Sequence, residues 1–147
     1  MITGKIRYVN FRIFKKVGNG MNRPIKFRAC YLPTLKMFDM EDLIHEEHLL
    51  DMLTMVNGKS KEEFSPLMQF TGLYDCNNVE IYEDDIVEIK NHPFGKNIAI
   101  NGIYRVRYDK KNMELCCGNW LLHGELPFVS IIGNVYQDPH LLGDCRR

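Results

Sequence analysis

Between Leu67 and Lys90 short apolar runs are cut at close intervals by turn-forming residues, and this pattern limits the folds open to the chain more than any other. Residues 67–73 and 79–82 flank a turn at 75–78 containing Asp75, Asn77 and Asn78. A second turn, at 83–85, leads into Ile86, Val87 and Ile89. Short runs of β-branched and aromatic residues bounded by Asn and Asp read as strands. Val87 interrupts the alternation of its neighbours, which predicts a strand covered on both faces.

The flanking sequence extends this reading. In residues 24–31, Ile25, Phe27 and Ala29 fall on one face and Lys26, Arg28 and Cys30 on the other, a strand with one buried side that Pro33 ends. Met40, Leu43, Ile44, Leu50, Leu53 and Val56 recur at near-helical spacing, so residues 39–56 are expected to form an amphipathic helix closed by Asn57 and Gly58. Further strands are expected within 98–108, 113–117 and 128–136. The breaks are at Asn101 and Gly102, at 109–112, and in a loop over 120–127. The sum is a mainly-β chain, a small barrel or roll with one short helix.

A chain of 147 residues accommodates one domain with an appended arm. Ile6, Tyr8, Phe11 and Ile13 give the first twenty residues an imperfect strand-like alternation, which ends at Gly18, Asn19 and Gly20. Codons for Lys15 to Gly18 can spell a purine-rich ribosome-binding sequence. Residues 1–20 are therefore read as an N-terminal β extension, with Met21 as the natural start of a single domain over 21–147.

Net charge is zero but unevenly spread. Every charged residue before Asp39 is basic, whereas the stretch from Asp39 to Asp85 is dense in carboxylates and has only Lys59 and Lys61 as cations. Opposite blocks in one small protein neutralise each other without a partner, and this is preferred to phosphate binding by the basic arm. No apolar run approaches the ~20 residues of a membrane span, and no signal peptide is recognisable, so the expected compartment is the cytoplasm. Five cysteines without a CxxC pair indicate free thiols rather than disulfides or a zinc site.

Catalytic patterns are sparse. His45, Glu46, Glu47 and His48 resemble a metal-binding helix, but the histidines are three apart rather than four and the glutamate placement does not match. A solvated helix face explains them better than a metal-dependent enzyme does. Glu80, Glu83, Asp84, Asp85 and Glu88 lack a calcium-loop pattern and read as turn and surface residues. Adjacent Cys116 and Cys117 point to opposite faces of a strand, one of them into the core. No phosphate loop, dinucleotide fingerprint or nucleophile elbow is present, so no cofactor is expected. The best raw material for binding is a basic and aromatic hairpin formed by Tyr104, Arg105, Arg107, Tyr108, Lys110 and Lys111. Its tyrosines could stack on bases of a single strand while its cations follow the phosphates. The competing reading is an exposed strand whose cations blunt a sheet edge.

Three stretches carry a family likeness: Ile25, Lys26, Phe27, Arg28, Ala29; then Leu67 to Leu73 with Glu80, Ile81, Tyr82, Glu83 and Asp85, Ile86, Val87; then Ile132, Gly133, Asn134, Val135, Tyr136 through Pro139, Leu141 and Leu142. In this order they resemble the YopX-like family of phage and prophage proteins. The family pattern has an aromatic where Cys30 stands and glycine where Asn78 and Asp84 stand. Asn and Asp are the non-glycine residues that best tolerate positive φ, so both turns are expected to be kept. The resemblance implies an SH3-like, mainly-β barrel and brings no active site with it. The leading expectation is a non-enzymatic phage accessory protein acting as a binding module, with an unidentified protein or nucleic-acid partner and possible homo-oligomerisation.

Overall fold

The computed structural model describes residues 24–45, 63–94, 96 and 98–143. The expected N-terminal β extension and the helix beyond His45 lie outside the described residues. Two antiparallel sheets make up the rest, and the chain is mainly β.

The first sheet has the order β2-β1-β3-β4, from β1 (Phe27–Tyr31), β2 (Lys36–Phe38), β3 (Met68–Tyr74) and β4 (Glu80–Tyr82). Strand β1 sits centrally, pairing Ala29 with Phe38 and Phe27 with Gln69. Behind it α1 (Met40–His45) buries Leu43 beside Ala29 and Phe64, and Tyr31 and Phe38 pack around them. The Asp39 carboxylate starts this helix by accepting from the Asp42 amide at 2.9 Å.

The second sheet, β8-β7-β6-β5-β9, is curled into a half-barrel. Its strands are β5 (Asp85–Pro93), β6 (Ala99–Asp109), β7 (Glu114–Cys117), β8 (Trp120–Leu121) and β9 (Val129–Asn134). A one-turn helix α2 (Leu122–Glu125) and a 3-10 turn (Leu126–Phe128) carry the chain from β8 to β9. Ile81 from the first sheet joins Val87, Ile89, Val106, Cys117, Leu122 and Val129 in a core closed from water. Each buried aliphatic side chain there contributes roughly 1.5–3 kcal/mol.

Ile86, Val87 and Ile89 are all fully buried, as a strand covered on both faces requires. Asn78 and Asp84 adopt φ of 63° and 68°, the left-handed conformation expected of the two turns. Four expectations change. Strand β1 is not buried on one face alone: Ile25, expected on the buried side, lies before the strand and is exposed, whereas Cys30, expected on the other side, is as fully buried as Ala29. Strand β2 follows Pro33 closely, through a turn in which Leu35 takes φ 55°, and no Gly or Asn marks it. Asn101 and Gly102 do not break β6, because the Tyr104 ring lies over Gly102 and fills the space a side chain would take. The expected loop at 120–127 instead forms β8, α2 and most of the 3-10 turn, held by Leu122 in the core.

Candidate functional site

The three family-like stretches meet where the two sheets join. Arg28, on β1, is ion-paired with Asp85 at the head of β5, and its guanidinium lies 4.4 Å from the centre of the Tyr82 ring. The Tyr82 amide donates to the other oxygen of Asp85 at 2.8 Å. Lys26 pairs in turn with Glu80, whose second oxygen accepts from the Tyr82 hydroxyl at 3.2 Å. Lys26 and Arg28 come from the basic first block and Glu80 and Asp85 from the acidic middle, so in these pairs the two blocks neutralise each other. Burial pushes the Asp85 carboxyl up to about 6, although Arg28 and the Tyr82 amide pull the other way. Burial, with the charge of Glu80, also raises the Tyr82 hydroxyl. Asp85 is only 1% exposed, which corrects its reading as a turn or surface carboxylate.

Asp84, next in line, faces a different set. Both Nε and Nη2 of Arg105 donate to its Oδ1, at 2.9 and 2.7 Å, and the Tyr136 hydroxyl donates to Oδ2 at 3.1 Å. Burial and the Asp84 charge push the Tyr136 hydroxyl up to about 12. The closing stretch is a hydrogen-bonded turn. Asn134 accepts from the Tyr136 and Gln137 amides, and Asp138 folds back over Gly133 onto the Asn134 amide. Asp75 does the same work at the β3–β4 turn, accepting from the amides of Asn77, Val79 and Ile131. These residues hold the architecture together.

The basic and aromatic hairpin is divided by strand geometry. Tyr104 packs on the core side, its ring against Gly102 and Gly118, while Arg105 and Arg107 lie on the outer face. Arg105 is engaged by Asp84. Arg107, Tyr108, Lys110 and Lys111 are exposed, with Tyr108 at 46%. Strand register places Arg107, Cys116 and Leu121 in one row across β6, β7 and β8, and Val106, Cys117 and Trp120 in the row facing the core. Cys116 and Cys117 thus do point to opposite faces. Burial raises both thiols, that of Cys117 to about 12. Around the outer row is an open hollow of about 350 Å³, lined by Arg107, Asn112, Glu114, Cys116, Asn119 and Leu121 among others.

A second cluster escaped the sequence reading. His92 Nδ1 at the end of β5 lies 2.7 Å from Glu125 Oε2 on α2, close enough for an ion contact but out of hydrogen-bond alignment. The imidazole packs edge-on to Phe128 at 4.9 Å between ring centres, and Trp120 stands 6.2 Å away. Nothing in the sequence could have paired them, because Glu125 fell in an expected loop. His45 is exposed, and Glu46, Glu47 and His48 lie outside the described residues. Among the described residues no three His, Cys, Asp or Glu side chains converge as a metal site would require.

A two-sheet β module whose sheets are tied by one buried ion pair, with an open hollow on its outer face, is the class of protein this geometry defines. Residues 10–143 match the YopX protein family, and the chain belongs to that family. Among solved structures it is similar to the crystal structure of protein EF1440 from Enterococcus faecalis, with a TM-score of 0.53 and 18% identity over 82% of this chain and 99% of that one. That likeness concerns the fold. No curated protein matches. No helix among the described residues is long and apolar enough to cross a membrane.

Proposed function

We propose that this protein is a non-enzymatic accessory protein of a phage or prophage that binds another protein through the outer face of β6, β7 and β8. The observation that carries the reading is the hollow around Arg107, Cys116 and Leu121. Leu121 is 40% exposed there, and the lining mixes one cation, the carboxylates of Asp109 and Glu114, and the amides of Asn112 and Asn119. Mixed polar groups around a small apolar floor suit a polypeptide segment, which offers amides and both charge signs. Two carboxylates in the lining disfavour a phosphate backbone.

A displayed peptide library screened against the intact protein tests this. Enriched peptides are expected to lose at least tenfold in affinity on Leu121→Asp and on Arg107→Glu, and to keep it on a distant Lys36→Glu. The nucleic-acid alternative rests on Tyr108 exposed beside Arg107, Lys110 and Lys111. It predicts oligonucleotide binding that weakens steeply with salt and is lost on Arg107→Ala with Lys111→Ala. If peptides bind equally to all variants, or only oligonucleotides bind, the protein-binding reading fails.

A further inference from the structure

The β5–β6 hairpin outruns its neighbours. Pairing of β9 with β5 ends at Ile89, and pairing of β7 with β6 ends at Val106. Beyond those points the two strands continue together, His92 opposite Ile100 and Pro93 opposite Ala99. Residues 90–93 and 99–103 therefore form a two-stranded ribbon that, among the described residues, has no strand on either outer side. An unpaired strand edge offers amides and carbonyls to another chain, and natural sheets protect such edges with lysine, proline or inward charge.

The two edges of this ribbon are treated differently. The β5 side carries Lys90, which is exposed, and Pro93, which has no amide proton to donate. The β6 side reads Ala99, Ile100, Asn101, Gly102, Ile103, with no charge and no proline. Its surroundings are apolar and open to water: Ile98 is 62% exposed, Phe94 55% and Ile103 43%.

We infer that the free β6 edge is a self-association site, where a second copy of the chain adds its own β6 antiparallel about a two-fold axis through Asn101. The sequence is self-complementary in that register. Ile103, which is exposed, meets Ala99 of the second copy, and Ile100 meets Gly102, over which the Tyr104 ring lies, so apolar side chains face a small residue and an aromatic surface and no like charges oppose each other. Ile98 meets Tyr104 on the core side. The sum of the register numbers is even, so the inner faces of the two half-barrels stay aligned. A net charge of zero leaves no long-range repulsion between copies. The residues paired in this assembly, Ile98 to Tyr104, are not among those that line the hollow around Arg107, so it uses a different surface from the partner proposed above.

Charge-swapped variants at the two-fold position provide the test. Asn101 is exposed, and Asn101→Lys or Asn101→Asp places like charges directly opposite in a homodimer but opposite charges in a mixed pair. Sedimentation equilibrium of the intact chain over roughly 10–500 μM, a range suited to an interface of less than standard size, is expected to show a monomer–dimer equilibrium. Each variant alone should dissociate roughly tenfold more readily, and an equimolar mixture should recover dimer. Circular dichroism of each variant confirms that the fold persists. A wild-type chain monomeric across the range, or dimers indifferent to both substitutions, or a mixture that fails to recover, overturns the inference.

Discussion

Arg28 and Asp85 lie 57 residues apart in the chain and form a buried ion pair that ties β1 of one sheet to β5 of the other. Asp85 is almost completely enclosed and Arg28 is 18% exposed, with the face of Tyr82 against its guanidinium. Removing such charges from water costs several kcal/mol per ion, and their attraction repays this only with good additional hydrogen bonds. Asp85 has one from the Tyr82 amide, while Arg28 Nε is buried without a partner. The pair therefore specifies how the sheets dock more than it stabilises them.

The Asp85 carboxyl, raised to about 6 by burial, sets a pH dependence. Between its ordinary value near 4 and the raised value, the folded chain holds a proton that the unfolded chain has released. Stability from this group is then present at low pH and lost as pH rises from about 4 to about 6. A rise of that size is worth at most ~3 kcal/mol. Urea unfolding at pH 4 and pH 7 is expected to show Asp85→Asn missing this loss, gaining stability relative to wild type as pH rises. Equal pH profiles for the two proteins would refute it.

Two residues that stand where the family pattern has glycine should respond in opposite ways when glycine is restored. Asn78 takes φ 63° and its amide nitrogen donates to the Asp75 carbonyl, a backbone bond that glycine keeps. Asn78→Gly relieves the left-handed strain and is expected to stabilise by up to ~1 kcal/mol. Asp84 takes φ 68°, but its carboxylate holds Arg105 and the Tyr136 hydroxyl. Asp84→Gly loses those bonds and should destabilise by ~1–2 kcal/mol net, even though the strain is relieved. Denaturant midpoints for the two variants moving in the same direction would contradict this.

Those two turns show how far the sequence could be read. Turn residues, alternation and the double-faced run at Ile86 and Val87 are local signals, and they located β1, β3, β4, β5 and most of β6. The Arg28–Asp85 and His92–Glu125 contacts are encoded only in the three-dimensional path of the chain. Asp85 follows a turn residue and looks like one, and its burial comes from a strand placed 57 residues earlier. Of the hairpin residues named from sequence, period-2 geometry alone separates Tyr104 from Arg105 and Arg107. What the sequence could not supply was that Asp84 would already hold Arg105.

Tyr104 makes two glycines necessary for different reasons. A Cβ on Gly102 would come within 2.4 Å of the Tyr104 hydroxyl, and one on Gly118 within 2.4 Å of the ring. Gly118 also has φ 59°, whereas Gly102 meets only the steric conflict. Gly102→Ala and Gly118→Ala are both expected to destabilise by ~1–3 kcal/mol. Shortening the side chain with Tyr104→Leu should rescue most of the loss for Gly102→Ala and little for Gly118→Ala. A double-mutant cycle measures the difference as unequal coupling energies.

Thiol chemistry should follow burial rather than sequence adjacency. Cys76 is exposed with its sulfur 3.2 Å from the Ser130 hydroxyl, whereas Cys30 and Cys117 are fully enclosed. The thiolate is the reactive form, and burial together with the Glu125 charge pushes the Cys117 thiol up to about 12, so almost none is ionised at neutral pH. Peptide mapping after brief maleimide treatment at pH 7.5 should find Cys76 modified and Cys30 and Cys117 intact. Both protected thiols should then react at the rate of global unfolding, because the strands that enclose them, β1 and β7, belong to the two sheets that the Arg28–Asp85 pair holds together. Arg28→Ala is expected to accelerate labelling of both. Cys117 labelling as fast as Cys76 in the native protein would show that the half-barrel opens locally, without separation of the sheets.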